Sequence, residues 1–152
     1  MALGSFLDMM VVSPKSSALD KINNIVRWQR LDYRLRKIVD RSGLGPTGYS
    51  PLILFKALVL QNLYGLSDPQ TEEMLYDRLS FRRFCGLKLD GKVPDETTLC
   101  RFRSALQGKT ESLFRLVMED IEAQGISLKG GTIVDASVVS SSVTPPQGGS
   151  VS

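Results

Sequence analysis

Ser50-Pro-Leu-Ile-Leu-Phe-Lys-Ala-Leu-Val-Leu-Gln-Asn-Leu-Tyr64, closed by Gly65, is the stretch on which the fold turns. The Ser50 side chain can accept from an open N–H of a helix start, and Pro51 suits the first helical position, where its missing N–H costs nothing. The fourteen residues from Pro51 to Tyr64 are apolar on nearly every side, so a helix here has no face to show to water. They are too few, and with Lys56 too polar, to span a bilayer. The segment is predicted to be the central buried helix of a bundle, ended by Gly65.

A helix buried on all sides needs neighbours, and the flanking sequence supplies them. Upstream, Leu19, Ile22, Ile25 and Val26 form one helical stripe and Trp28, Leu31, Leu35, Ile38 and Val39 another, as one long helix or two joined near Trp28. Ser42-Gly-Leu-Gly-Pro-Thr-Gly48 breaks the pattern. Downstream, Ser67 and Gln70 have capping-box spacing ahead of Met74, Leu75 and Leu79. Ser80 to Gly86 is read as a short helical turn that inserts Phe81 and Phe84 and displays Arg82 and Arg83. Leu87 to Pro94 is loop, with a tight turn at Asp90-Gly91. Asp95 caps a helix to about Leu106, with Leu99, Phe102 and Leu106 inward and Thr97, Thr98, Arg101, Arg103 and Ser104 on or near the other side. Thr110 opens the last helix, which Gly125 stops. The first strand is expected only at Thr132 to Val139.

This reading divides the chain into a flexible leader (1–17), a helical domain (18–128), a strand (130–139) and a disordered Ser/Pro/Gly/Val tail (140–152). The fold class is mainly α: a multi-helix bundle with a helix-turn-helix-like element, followed by one strand.

Charge is unevenly spread along the 152 residues, although the net value is only +3. From Lys21 to Arg41 seven bases face two acids, and from Phe81 to Arg103 six face three. Between Thr110 and Gln124 four acids face Arg115 alone. Such segregation suits a polyanion-binding face, and a solvated helix surface gives the same counts. The chain has no histidine, which excludes His-based triads and zinc sites of the usual kinds. Cys85 and Cys100 lack CxxC spacing and are expected to be reduced, largely buried thiols. With neither a basic signal-peptide start nor a spanning segment, the expected location is cytoplasmic, with no membrane partner.

Two constellations carry chemistry. In the first, Arg82 and Arg83 precede Val93-Pro-Asp-Glu-Thr-Thr-Leu-Cys-Arg-Phe-Arg103. A helix start aimed at DNA offers N–H groups to phosphate. Thr97 and Thr98 can bond phosphate or base edges, and Arg101 or Arg103 can fork to guanine or phosphate. A solvated amphipathic helix fits the same residues. The second is Asp135 in Gly130-Gly-Thr-Ile-Val-Asp-Ala-Ser137, on one strand face with Ile133 and Ser137. A strand carboxylate can be the first ligand of a two-metal phosphoryl-transfer site, or simply an edge charge. It is the last ionisable side chain, so partner carboxylates must lie upstream or outside this chain.

Five ordered blocks, Tyr49-Ser-Pro-Leu-Ile-Leu-Phe-Lys-Ala-Leu58, Leu63-Tyr-Gly-Leu-Ser-Asp68, Leu75-Tyr-Asp-Arg-Leu-Ser-Phe-Arg-Arg-Phe-Cys-Gly-Leu87, Val93 to Arg103, and Gly131-Thr-Ile-Val-Asp-Ala-Ser137, resemble the insertion-sequence-five type of bacterial DDE transposase. The resemblance implies a helical N-terminal region followed by an RNase H-like core, with Asp135 as the first acid of the DDE triad and a Mg²⁺ ligand. The implied partner is double-stranded DNA at element ends, with a second copy or intact transposase as further partners. This chain has Ser140 and Ser141 where members often carry an acid, and the second Asp and the Glu lie in the family beyond Ser152. The chain is thus expected to be a truncated, catalytically incomplete piece that binds no Mg²⁺ tightly by itself. A repressor of intact transposase and an inert pseudogene product are the alternatives.

Overall fold

The computed structural model describes residues 17–129 and 132–135, and they are mainly helical. Seven helices are present among them: α1 (Ser17–Ile25), α2 (Trp28–Ser42), α3 (Pro51–Tyr64), α4 (Asp68–Asp77), α5 (Leu79–Cys85), α6 (Glu96–Ala105) and α7 (Thr110–Ala123). Two short strands follow, β1 (Ile126–Lys129) and β2 (Thr132–Asp135). The expected leader up to residue 16, the continuation of the strand over 136–139 and the tail 140–152 lie outside the described residues.

α3 is the central helix that its composition predicts. Eight of its fourteen residues are buried, Lys56 included, and it touches α2, α4, α5 and α6. Its ends form as read: Ser50 Oγ accepts the Ile53 N–H at 3.3 Å, and Gly65 closes the helix at φ 64°, a conformation that costs glycine little. The other starts are equally local. Ser67 and Gln70 form both bonds of the capping box on α4, and Asp95 Oδ1 accepts the Thr98 N–H of α6 at 2.8 Å.

The first helical segment is two helices, not one. The chain turns at Arg27, whose N–H is taken by Asp120 Oδ2 of α7 at 3.0 Å in place of a local cap. Trp28 opens α2, donates its indole N–H to the Asn23 carbonyl at 3.1 Å and meets Phe84 edge-on at 5.8 Å. Ile22, Leu31, Leu35, Phe55, Leu58, Leu75, Phe81, Phe84, Leu99 and Phe102 join α1 to α6 in one core, against which Leu113, Val117 and Ile121 seat α7. Burial of each of the larger side chains contributes on the order of 2 kcal/mol.

The strands correct one expectation. The first strand begins at Ile126, not Thr132, and pairs antiparallel with β2 in a register that sets Ile126 opposite Asp135 and Lys129 opposite Thr132. The backbone of β1 lies against α7 and that of β2 approaches α3.

Candidate nucleic-acid interface

Arg82 departs furthest from its expected place. It is 6% exposed. Its Nε donates to the Leu75 carbonyl at 2.7 Å, and Nη1 reaches the carbonyls of Lys88, Leu89 and Gly91 at 3.0, 2.8 and 2.9 Å. The guanidinium sits where the last carbonyls of α4 converge, an end that favours positive charge. It ties the 86–95 loop to that helix, so Arg82 is an internal brace and not a displayed DNA ligand. The reason lies in α5 itself: a seven-residue helix packed against α1, α3 and α4 has almost no free face, and Phe81, Arg82, Phe84 and Cys85 are all buried.

The other two expected arginines at the edges of this surface hold partners from distant helices. Arg83, half-buried, donates through Nε and Nη2 to Asp20 of α1 at 3.2 and 3.0 Å. Arg103 donates to both carboxylate oxygens of Asp68 and to Gln61 Oε1 at 2.7 Å. The Arg103 hydrogen bond holds the Asp68 carboxyl below the ordinary carboxylate range, against the raising effect of burial. Both guanidiniums stitch the bundle together.

The N-terminus of α6 also differs from the expectation of N–H groups open to phosphate. Asp95 takes the Thr98 N–H, and Glu72 Oε1 of α4 takes the Glu96 N–H at 2.8 Å. Two carboxylates therefore stand where a phosphate was expected, and their charge repels one. Further along α6 the exposed side chains are Thr97, Cys100, Arg101 and Ser104, while Thr98 is half-buried. Their spacing of i, i+3, i+4 and i+7 makes one outward face. The exposed Cys100 corrects the expectation of two buried thiols; Cys85 is buried, and burial pushes its thiol up to about 12. The α5-to-α6 connection occupies 86–95, longer than the three or four residues of a compact helix-turn-helix.

A second basic surface was counted in the sequence without being assigned a face. α2 carries Arg30, Arg34, Lys37 and Arg41 at i, i+4, i+7 and i+11, in one row along a flank of the helix beside the buried stripe of Leu31 and Leu35. That spacing is the signal that could have found it. Arg30 is anchored to Asp120 Oδ2 at 3.3 Å.

The family model described as Transposase domain (DUF772) matches residues 8–105, more than half of the chain. The chain belongs to this transposase domain family. No solved structure matches it. The transposase domain match takes in all of α1 to α6 and ends at Ala105; α7 and the strand pair follow it. Asp135 closes β2, thirty residues beyond the matched segment. Among the described residues no three His, Cys, Asp or Glu side chains gather where they could hold a metal ion, and no helix is long and apolar enough to cross a membrane.

Proposed function

We propose that this transposase domain is the DNA-binding part of an insertion-sequence-five-type DDE transposase, with the outward face of α6 as its recognition surface. The observation that carries the reading is the transposase family match across α1 to α6, which makes double-stranded DNA at element ends the natural partner. The α6 face supports it in detail. Thr97 and Ser104 can bond to base edges or phosphates, and Arg101, which closes no ion pair among the described residues, has its guanidinium available for a guanine. Arg82, Arg83 and Arg103 serve this surface indirectly, by fixing α5 and α6 in the bundle.

Asp135 is proposed as the first carboxylate of the catalytic core that such transposases carry after their helical region. An oxygen donor at the end of a strand is the right type of ligand for Mg²⁺. The described residues do not complete such a site, since a two-metal centre needs several carboxylates, and no chemical step is assigned to this chain.

The test is equilibrium binding of the full chain to a duplex carrying the element's terminal repeat and to a scrambled duplex. The reading predicts salt-sensitive binding that prefers the repeat, with Arg101→Ala reducing that preference by about 1–3 kcal/mol. No binding to either duplex, or a preference that Arg101→Ala leaves intact, contradicts it.

A further inference from the structure

We propose that the outer face of α2 is a separate docking strip for the sugar-phosphate backbone of duplex DNA, formed by Arg34, Lys37 and Arg41 with Tyr33 at its side. The inference rests on the reading of the chain as DNA-binding and adds a surface to it on a different helix. Arg34, Lys37 and Arg41 are all exposed, and none closes an ion pair among the described residues. Tyr33 is 62% exposed, and the Lys37 ammonium lies 4.4 Å from its ring centroid.

An ordinary solvated helix surface alternates its charges at i, i+4, as Asp32 and Arg36 do elsewhere on α2 at 3.1 Å. The strip does the opposite. Arg30 to Arg34 and Lys37 to Arg41 are like-charge i, i+4 pairs, which weaken a helix unless a polyanion neutralises them. The nearest acid on the same helix, Asp40, closes no ion pair with them. Asp120 pairs with the row only at Arg30, and the later three bases have no ion pair among the described residues. From Arg34 to Arg41 the strip runs about 10 Å along the helix, matching about three phosphates of one strand. Its chemistry is that of backbone contact without base reading: long cationic side chains and one aromatic ring. α2 also touches α6, so the strip and the proposed recognition face belong to neighbouring helices of one packed body.

The experiment titrates salt against binding of the full chain to a random-sequence duplex, for wild type, Arg34→Gln/Lys37→Gln/Arg41→Gln, Arg34→Lys/Arg41→Lys and the ion-paired control Arg36→Gln. Because the three positions are exposed and carry like charge, the Gln variant is expected to fold at least as well as wild type, which circular dichroism checks. The proposal predicts that the Gln variant flattens the log–log salt slope by about 2.7, so that wild type loses about forty-fold more affinity than the variant between 50 and 200 mM salt. The Lys variant keeps the wild-type slope, and Arg36→Gln changes it by well under one unit. A Gln variant with the wild-type slope overturns the strip while leaving DNA binding by α6 standing. Wild type that binds no duplex overturns both. A strip that drives self-association without DNA, lost in the Gln variant while the salt slope is unchanged, also overturns the proposal.

Discussion

Asp120 of α7 takes the backbone N–H of Arg27 and the guanidinium of the same residue, each at 3.0 Å, across 93 positions of sequence. The carboxylate is 8% exposed. Burial alone would raise its pKa, but the Arg27 hydrogen bonds and the charges of Arg27 and Arg30 outweigh that and hold it below the ordinary range. One side chain thus fixes the turn between α1 and α2 and anchors α7, which lies beyond the matched transposase segment.

Asp68 and Asp120 both have depressed values in the folded state, so their stabilisation is complete above the unfolded carboxylate value, about 3.9, and is lost as pH falls through the lower folded values. Melting temperatures of wild type and Asp68→Asn/Asp120→Asn should therefore differ most above about pH 5 and converge as pH falls well below 4. A gap of the same size at pH 7 and pH 2.5 would show that these carboxylates do not carry the acid sensitivity.

Replacing Arg82 should cost stability and not a DNA contact. Arg82→Lys keeps the charge but cannot fork to the carbonyls of Leu75, Leu89 and Gly91 together, and should lose about 2–4 kcal/mol in urea denaturation. Its salt slope for duplex binding, measured where the variant remains folded, should match wild type. A slope reduced by about one unit would return Arg82 to the interface.

Lys56 is a buried cation on the central helix. Its Nζ donates to Asn23 Oδ1 at 2.8 Å and lies 4.5 Å from the Trp28 ring, and burial lowers its pKa. A lysine depressed in the folded state costs stability at neutral pH, and that cost disappears as pH rises past the folded value toward the unfolded one near about 10.4. Lys56→Met should therefore gain most over wild type at neutral pH and less at pH 10. An advantage that grows with pH would contradict the sign.

The local half of this fold was legible because its causes are local. Ser50 with Pro51, Ser67 with Gln70, and Asp95 each specify a helix start within four residues, and the all-round apolarity of α3 required a bundle. The candidate interface was less legible, because whether an arginine faces water is decided by residues far along the chain. Asp20 claims Arg83, Asp68 claims Arg103, and Glu72 covers the start of α6. No periodicity announces those partners. The strand pair was missed for a different reason: Ile126 to Lys129 is too short to show a period, though Gly130-Gly131 between two four-residue runs is a hairpin signal.

Cys100 gives the most direct measurement of the central claim, that the outward face of α6 meets DNA. It is the exposed one of two cysteines and sits beside Arg101 on that face, while Cys85 is buried. Alkylation of Cys100 by a small maleimide, followed by mass spectrometry with increasing terminal-repeat duplex, should slow in step with DNA occupancy. Duplex should also bind poorly to protein already alkylated there. Saturating duplex that leaves the alkylation rate of Cys100 unchanged would place DNA elsewhere on the bundle and contradict the account.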